Sequence, residues 1–147
     1  MKTKAIIIGI GILLGGITAA IAGDDKPIDF GQLPANAKIF IPEHFGDLKV
    51  SYAKVDSEIF DTAYEVVFVD GSKVEFDKRG NWREIDCEYG RVPEGALPAP
   101  ILDFVKNNHA QRYVVSIDRD KRNYEVKLDN GLEIKFDLNF RVTGYDD

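Results

Sequence analysis

The sequence predicts an α+β domain in which one helix followed by four antiparallel strands occurs twice, forming a sheet of about eight strands with both helices on one face. Three observations predict it. The second half repeats the first: Tyr64-Glu65-Val66 returns as Tyr124-Glu125-Val126, and the same ungapped shift of 60 superposes Gly71 on Gly131, Phe76 on Phe136, Asp77 on Asp137 and Asp86 on Asp146. Within each copy the apolar period changes from helical to two. The period-two runs are interrupted by Asp70-Gly71 and Asn130-Gly131, dipeptides that favour tight hairpin turns.

Upstream, Leu33-Pro34-Ala35 and Phe40 return as Leu97-Pro98-Ala99 and Phe104 at a shift of 64, so the second copy is four residues shorter between its first strand and its Tyr-Glu-Val strand. Such length changes fall in turns, because a shifted strand register would turn its apolar face to water. The repeating unit is one supersecondary motif used twice, residues 33–88 and 97–147.

Residues 1–22 read as a secretory signal peptide. Lys2 and Lys4 form the positive region, Ala5 to Thr18 is apolar and contains four glycines, and Ala20-Ile21-Ala22 is the expected cleavage site. The run is shorter than the roughly 20 residues of a spanning helix. Cleavage after Ala22 predicts a periplasmic protein with no further membrane attachment, and removal of 22 of the 147 residues leaves 125, enough for one domain. The single cysteine, Cys87, offers no intramolecular disulfide and no lipid site near the cleavage point, so packing must hold the fold. The formal charge of −6 becomes −8 when Lys2 and Lys4 leave, which excludes nucleic acid as a natural partner.

Residues 23–32 are polar and patternless and read as a linker. Leu33-Pro34 opens the first helix, where Pro is tolerated in the first turn. Ala37, Phe40, Ile41 and Phe45 supply its stripe and Gly46 its stop; Pro42 predicts a kink or an earlier end. Pro98 and Pro100 start the second helix, with Ile101, Leu102, Phe104 and Val105 as its stripe. Tyr64, Val66, Phe68, Val74 and Phe76, with Tyr124, Val126, Leu128, Ile134 and Phe136, are expected to face the helices. Glu65, Lys73, Glu75, Glu125, Lys127, Glu133 and Lys135 are expected to face water. The turns at Asp70-Gly71 and Asn130-Gly131 are expected to be type I′, with positive φ at both central residues. Flanking strands are expected at 50–55, 82–87, 113–117 and 141–145, and a linker at 88–97. A four-stranded sheet with one helix buries too little alone, so the two units should share one core.

The repeated Tyr-Glu-Val strand, the Asp/Asn-Gly turn, the Val/Ile-x-Phe-Asp strand and the Gly80-Asn81-Trp82 turn, all after a Leu-Pro helix, resemble the PepSY-like family of periplasmic proteins of Bacteroides and its relatives. The resemblance spans nearly all of 33–147. It implies a tandem repeat similar in fold to β-lactamase inhibitory protein and a protein-binding, inhibitor-like role. The second copy departs from the pattern at Phe140-Arg141-Val142, where Gly and Trp are absent, so any role of Trp82 belongs to the first copy.

Enzymatic signatures such as G-x-S-x-G, the phosphate-binding G-x-x-x-x-G-K and H-E-x-x-H are missing, so a non-enzymatic reading is expected and no cofactor is implied. Cys87 alternates with Ile85 and reads as a small packed hydrophobe rather than a nucleophile for His44 or His109, both of which lie near helix C-termini. Asp118, Asp120 and Asn123 bring hard oxygens close together, a trace of a calcium site, but the turn lacks the glycine and distal Glu of a complete calcium loop. An Asp/Asn-rich β-turn explains them as well. Glu65 and Glu125 form a carboxylate pair by repetition, yet equivalent positions offer no difference in environment to separate two pKa values.

Positions where the copies differ are candidates for function. Val67 and Val69 stand where the second copy has Lys127 and Asp129, and Trp82 has no aromatic counterpart. The expected docking surface is the helix-free face of the first copy, with Trp82, Val67 and Val69 at its centre and Lys73, Glu75 and Arg83 at its rim. The competing expectation has Trp82 closing the core. The function so indicated is the binding of a periplasmic or extracellular protein or peptide; the rivals are a calcium or small-ligand sensor and a hydrolase of unrecognised spacing.

Overall fold

The computed structural model describes residues 25–147; the signal segment and its cleavage site lie outside them. The described chain has the expected α+β architecture with one more strand than expected. Strands β1 (Lys26–Ile28), β2 (Val50–Glu58), β3 (Asp61–Phe68), β4 (Lys73–Phe76), β5 (Trp82–Asp86), β6 (Val114–Arg119), β7 (Asn123–Leu128), β8 (Glu133–Asp137) and β9 (Val142–Asp146) form one nine-stranded sheet in sequential order. Every neighbouring pair is antiparallel. Helices α1 (Ala35–Phe45) and α2 (Ala99–Asn108) precede β2 and β6. The added strand β1 falls in the segment expected as a linker; Lys26 to Ile28 pair with Val55 to Ala53. Three residues carry too little periodicity to be seen in the sequence.

Both helices pack on one face of the sheet. Phe40 of α1 meets Phe76 edge to face at 5.6 Å, and Phe104 of α2, at the equivalent position, meets Phe136 edge to face at 5.4 Å. The core is a single cluster that crosses the middle of the sheet, where Ile85 of β5 pairs with Ile117 of β6 and both are fully buried. Eight of the expected core residues, from Val66 to Phe136, are buried, and Tyr64 and Tyr124 pack at its margin.

Helix α1 continues through Pro42 to Gly46. The carbonyl that Pro42 leaves without its helical donor belongs to Lys38, and both residues lie on the exposed side of the helix, where water can satisfy it. Gly46 is required by space: a Cβ there would lie 2.8 Å from the Pro42 carbonyl oxygen.

The hairpin turns are present, but they are not type I′. Gly71 and Gly131 have φ of 91° and 90°, while Asp70 and Asn130 stay out of the positive-φ region. Gly71 N–H donates to the Phe68 carbonyl at 3.0 Å and Phe68 N–H to that of Ser72 at 2.8 Å, the pattern of a three-residue loop with glycine in the left-handed bulge position. Gly131, Leu128 and Leu132 repeat it. The Asp and Asn side chains cap the loop instead: Asp70 accepts the Ser72 N–H at 2.8 Å and Asn130 that of Leu132 at 3.2 Å. The β4–β5 and β8–β9 turns share this geometry, with Asp77 and Asp137 as the caps. Gly80 takes φ of 84° in the first and Phe140 takes 63° in the second, so the backbone repeats where the sequence does not.

Candidate functional site: the helix-free face

Side chains alternate across a sheet, so the residues next to the buried row Val66, Val74, Ile85, Ile117, Val126 and Ile134 project to the face without helices. Cross-strand register sets them side by side. Lys54 opposes Glu65, Glu65 opposes Glu75, Glu75 opposes Glu84, Glu84 opposes Asp118, Asp118 opposes Glu125, and Glu125 opposes Lys135. The result is a transverse row of five carboxylates on β3 to β7 with one lysine at each end. No stretch of sequence shows this row, because its members lie on different strands and meet only through register.

The row is less wet than the alternation implies. Glu125 is 7% exposed and Lys54 8%, and Glu65 and Glu75 are largely covered. Glu65, Glu75 and Glu125, expected to face water, are instead partly buried among their neighbours on adjacent strands. Lys54 donates to Asp25 at 3.0 Å and stands 3.9 Å from Glu65; Lys135 is 3.6 Å from Glu125. Arg83 forks onto Asp61, with Nη1 2.8 Å from Oδ2, and lies 4.0 Å from Glu75.

Burial works against the Lys54 ammonium, but the bond to Asp25 and the charge of Glu65 overcome it and hold its pKa above the usual lysine value. Burial also raises Glu65, and Lys54 and Lys73 offset this only in part; a 3.9 Å ion pair is too long to restore the lost hydration. The largest change is at Glu75. Burial and then the neighbouring Glu84 charge push it up to about 7, against the pull of Arg83. Asp61 goes the other way, held low by its bond to Arg83.

The residues expected as one docking patch are only partly brought together. Lys73, Glu75, Arg83 and the half-buried Val67 lie on or beside this face. Val69 sits beyond the end of β3 in the β3–β4 turn and is exposed. Trp82 is 8% exposed, belongs to the core cluster, and is covered by the Arg119 guanidinium 4.1 Å above its ring. Its pattern break marks a core contact between the copies. The residues missed by sequence reasoning are Lys54, Glu84 and Asp118 as members of the row; the signal available was the alternation of each strand, read separately.

Glu65 and Glu125 are separated by four inter-strand steps, roughly 19 Å at about 4.8 Å each, too far to act as an acid–base pair. Cys87 is buried, and burial pushes its thiol up to about 11. His44 and His109 stand at the C-terminal ends of α1 and α2. Asp120 accepts the N–H groups of Arg122 at 2.7 Å and Asn123 at 3.0 Å and so closes the β6–β7 turn. Among the described residues no group of three or more His, Cys, Asp or Glu side chains is placed to hold a metal ion. A hollow of about 310 Å³ beside α2, lined by Arg91, Leu97, Lys106, Arg112 and Tyr113, contains one carboxylate, Glu94, paired with Lys106 at 3.1 Å. No helix among the described residues is long and apolar enough to cross a membrane.

Comparison with curated proteins finds no match. Three crystal structures are closely similar. One is a "putative calcium-regulated periplasmic protein" from Bacteroides thetaiotaomicron, 48% identical, with a TM-score of 0.82 over 84% of this chain and 98% of that one. The second, a "putative periplasmic protein" from Bacteroides vulgatus, is also 48% identical, with a TM-score of 0.83 over 86% and 99%. Another protein of Bacteroides vulgatus, of unknown function, is 36% identical, with a TM-score of 0.77 over 84% and 99%. Residues 62–143 match the family described as "Putative beta-lactamase-inhibitor-like, PepSY-like". With the family match running from β3 into β9 and near-complete coverage of these relatives, the chain belongs to the PepSY-like family.

Proposed function

We propose that the protein is a non-catalytic binding module of the periplasm whose helix-free sheet face takes a basic segment of a protein or peptide. The periplasmic relatives and the signal-like N-terminus support the compartment. The observation that carries the binding mode is the five-carboxylate row. Like charges at directly opposed strand positions destabilise a sheet, and here burial, with the opposed Glu84 charge added to it, raises Glu75 to about 7. A lysine or arginine laid across the row relieves the repulsion. Inhibition is one consequence such binding could have, and the family's inhibitor-like description makes it the first activity to assay.

Calorimetry with an oligoarginine peptide tests this. Glu75→Gln and Glu84→Gln should each weaken binding at least fivefold, whereas Glu43→Gln on α1 should not. Equal weakening by all three would reduce the effect to net charge and sink the reading. Binding should also release protons near neutral pH, as a cation drives Glu75 to ionise.

A calcium-sensing reading is favoured by one observation: a 48% identical relative carries a calcium-regulated description. Calcium takes six to eight oxygens at about 2.3–2.6 Å, and Asp120 is committed to its turn. A calcium titration with saturable heat and a rise in melting temperature would favour the sensor.

A further inference from the structure

The β2–β3 hairpin ends in a two-residue loop, Ile59-Phe60, between the paired Glu58 and Asp61. Loops of this length match the twist of their strands when one or both central residues take positive φ, which is why Gly, Asn and Asp dominate them. Neither Ile59 nor Phe60 does so, and Ile59 is β-branched. Their exposures are 91% and 99%. Turn chemistry and the hydrophobic effect both disfavour these residues here, the kind of local conflict expected where function selects the side chain.

Position adds to this. The four extra residues of the first copy lie in this hairpin; the equivalent β6–β7 connection is the polar Asp120-Lys121-Arg122. Pairing between β3 and β4 begins at Tyr64, and that between β1 and β2 ends at Val55, so residues 56–63 project as a two-stranded arm. Arg83 braces it through Asp61. Glu58 adds negative charge directly beside the apolar tip, while Asp61 on the other strand is neutralised by Arg83; with the net charge of −6 on the chain, this opposes insertion into an anionic bilayer and suits a cleft with a cationic rim.

We propose that Ile59-Phe60 is a docking wedge that inserts into an apolar cleft of a partner protein whose rim carries Lys or Arg. The wedge does not depend on the reading of the sheet face, and different variants test the two. The mature chain with p-benzoylphenylalanine in place of Phe60 is irradiated in envelope extract of the source bacterium, with unlabelled proteins as competitors. The expected result is one protein adduct, competed by wild type, with at least tenfold more of the Ile59→Asn/Phe60→Gly protein needed, and more of Glu58→Lys as well. That double variant should melt no lower than wild type, since Asn-Gly lets the loop take the primed turn that matches the strand twist and removes two exposed apolar side chains. Undiminished competition by Glu75→Gln assigns the contact to the wedge rather than the face. Equal competition by the double variant, a lower melting temperature, an adduct to lipid, or no adduct would each overturn the proposal.

Discussion

Arg119 at the end of β6 lies with its guanidinium 4.1 Å from the centre of the Trp82 ring at the start of β5, and its Nε donates to the Trp82 carbonyl at 2.7 Å. One side chain of the second copy thus roofs and binds the aromatic anchor of the first. Trp82→Ala should cost about 3–5 kcal/mol of stability in urea denaturation, leaving ligand affinity of the folded protein unchanged. Arg119→Met should cost about 1–2 kcal/mol, from the lost cation–π contact and charge-assisted bond.

Glu75 gives stability a defined pH dependence. Its folded pKa, about 7, lies above the unfolded carboxylate value, so between roughly pH 4.5 and 7 the folded state holds the extra proton. Stability from this group is full below that window and is lost as pH rises through it. Glu75→Gln should therefore flatten the profile and raise stability at pH 8 by on the order of 1–2 kcal/mol, discounted for partial exposure. Asp61 acts in the opposite sense: its pKa is lowered, so its contribution is present above the unfolded carboxylate range and is lost in more acidic solution. Thermal melts from pH 3 to 9 on both proteins separate the two windows.

The glycine turns differ in what surrounds them. A Cβ on Gly131 would meet nothing within 4 Å, whereas on Gly80 it would meet the Ala37 backbone nitrogen at 2.9 Å and the Pro34 and Asn36 side chains at 3.0 Å. Gly131→Ala should cost only the left-handed strain, about 1–2 kcal/mol. Gly80→Ala should cost more, because the turn must also move away from α1.

Phe140 bears the same backbone strain and stacks on Tyr124 at 5.1 Å. Phe140→Ala should lose the stacking and keep the strain, destabilising by about 1–3 kcal/mol, while Phe140→Gly recovers part of this. Chemical denaturation of the two variants orders them; an alanine protein as stable as the glycine one would show that the φ of 63° costs nothing.

Separate pieces 23–91 and 92–147 should not fold cooperatively as monomers, since the division separates Ile85 from Ile117 in the middle of the core. Circular dichroism melts of each piece decide this; two cooperative transitions would refute the shared core.

The sequence by itself determined what depends on neighbours along the chain. Alternation in 64–68 and 124–128 assigned the buried face of β3 and β7, the Pro-led apolar stripes located both helices, and the Asp/Asn-Gly dipeptides marked the hairpins. Only the tertiary structure decided what depends on partners distant in sequence. The bulged loops are the exception, a local choice made by the Asp70 and Asn130 caps two residues along the chain, which the Asp/Asn-Gly dipeptides alone did not distinguish from type I′. Arg119 decided that Trp82 is core. Lateral register turned polar positions that looked solvated, Glu65, Glu75 and Glu125, into a half-buried row, because the environment of a strand residue is set as much by the strands beside it as by its own alternation.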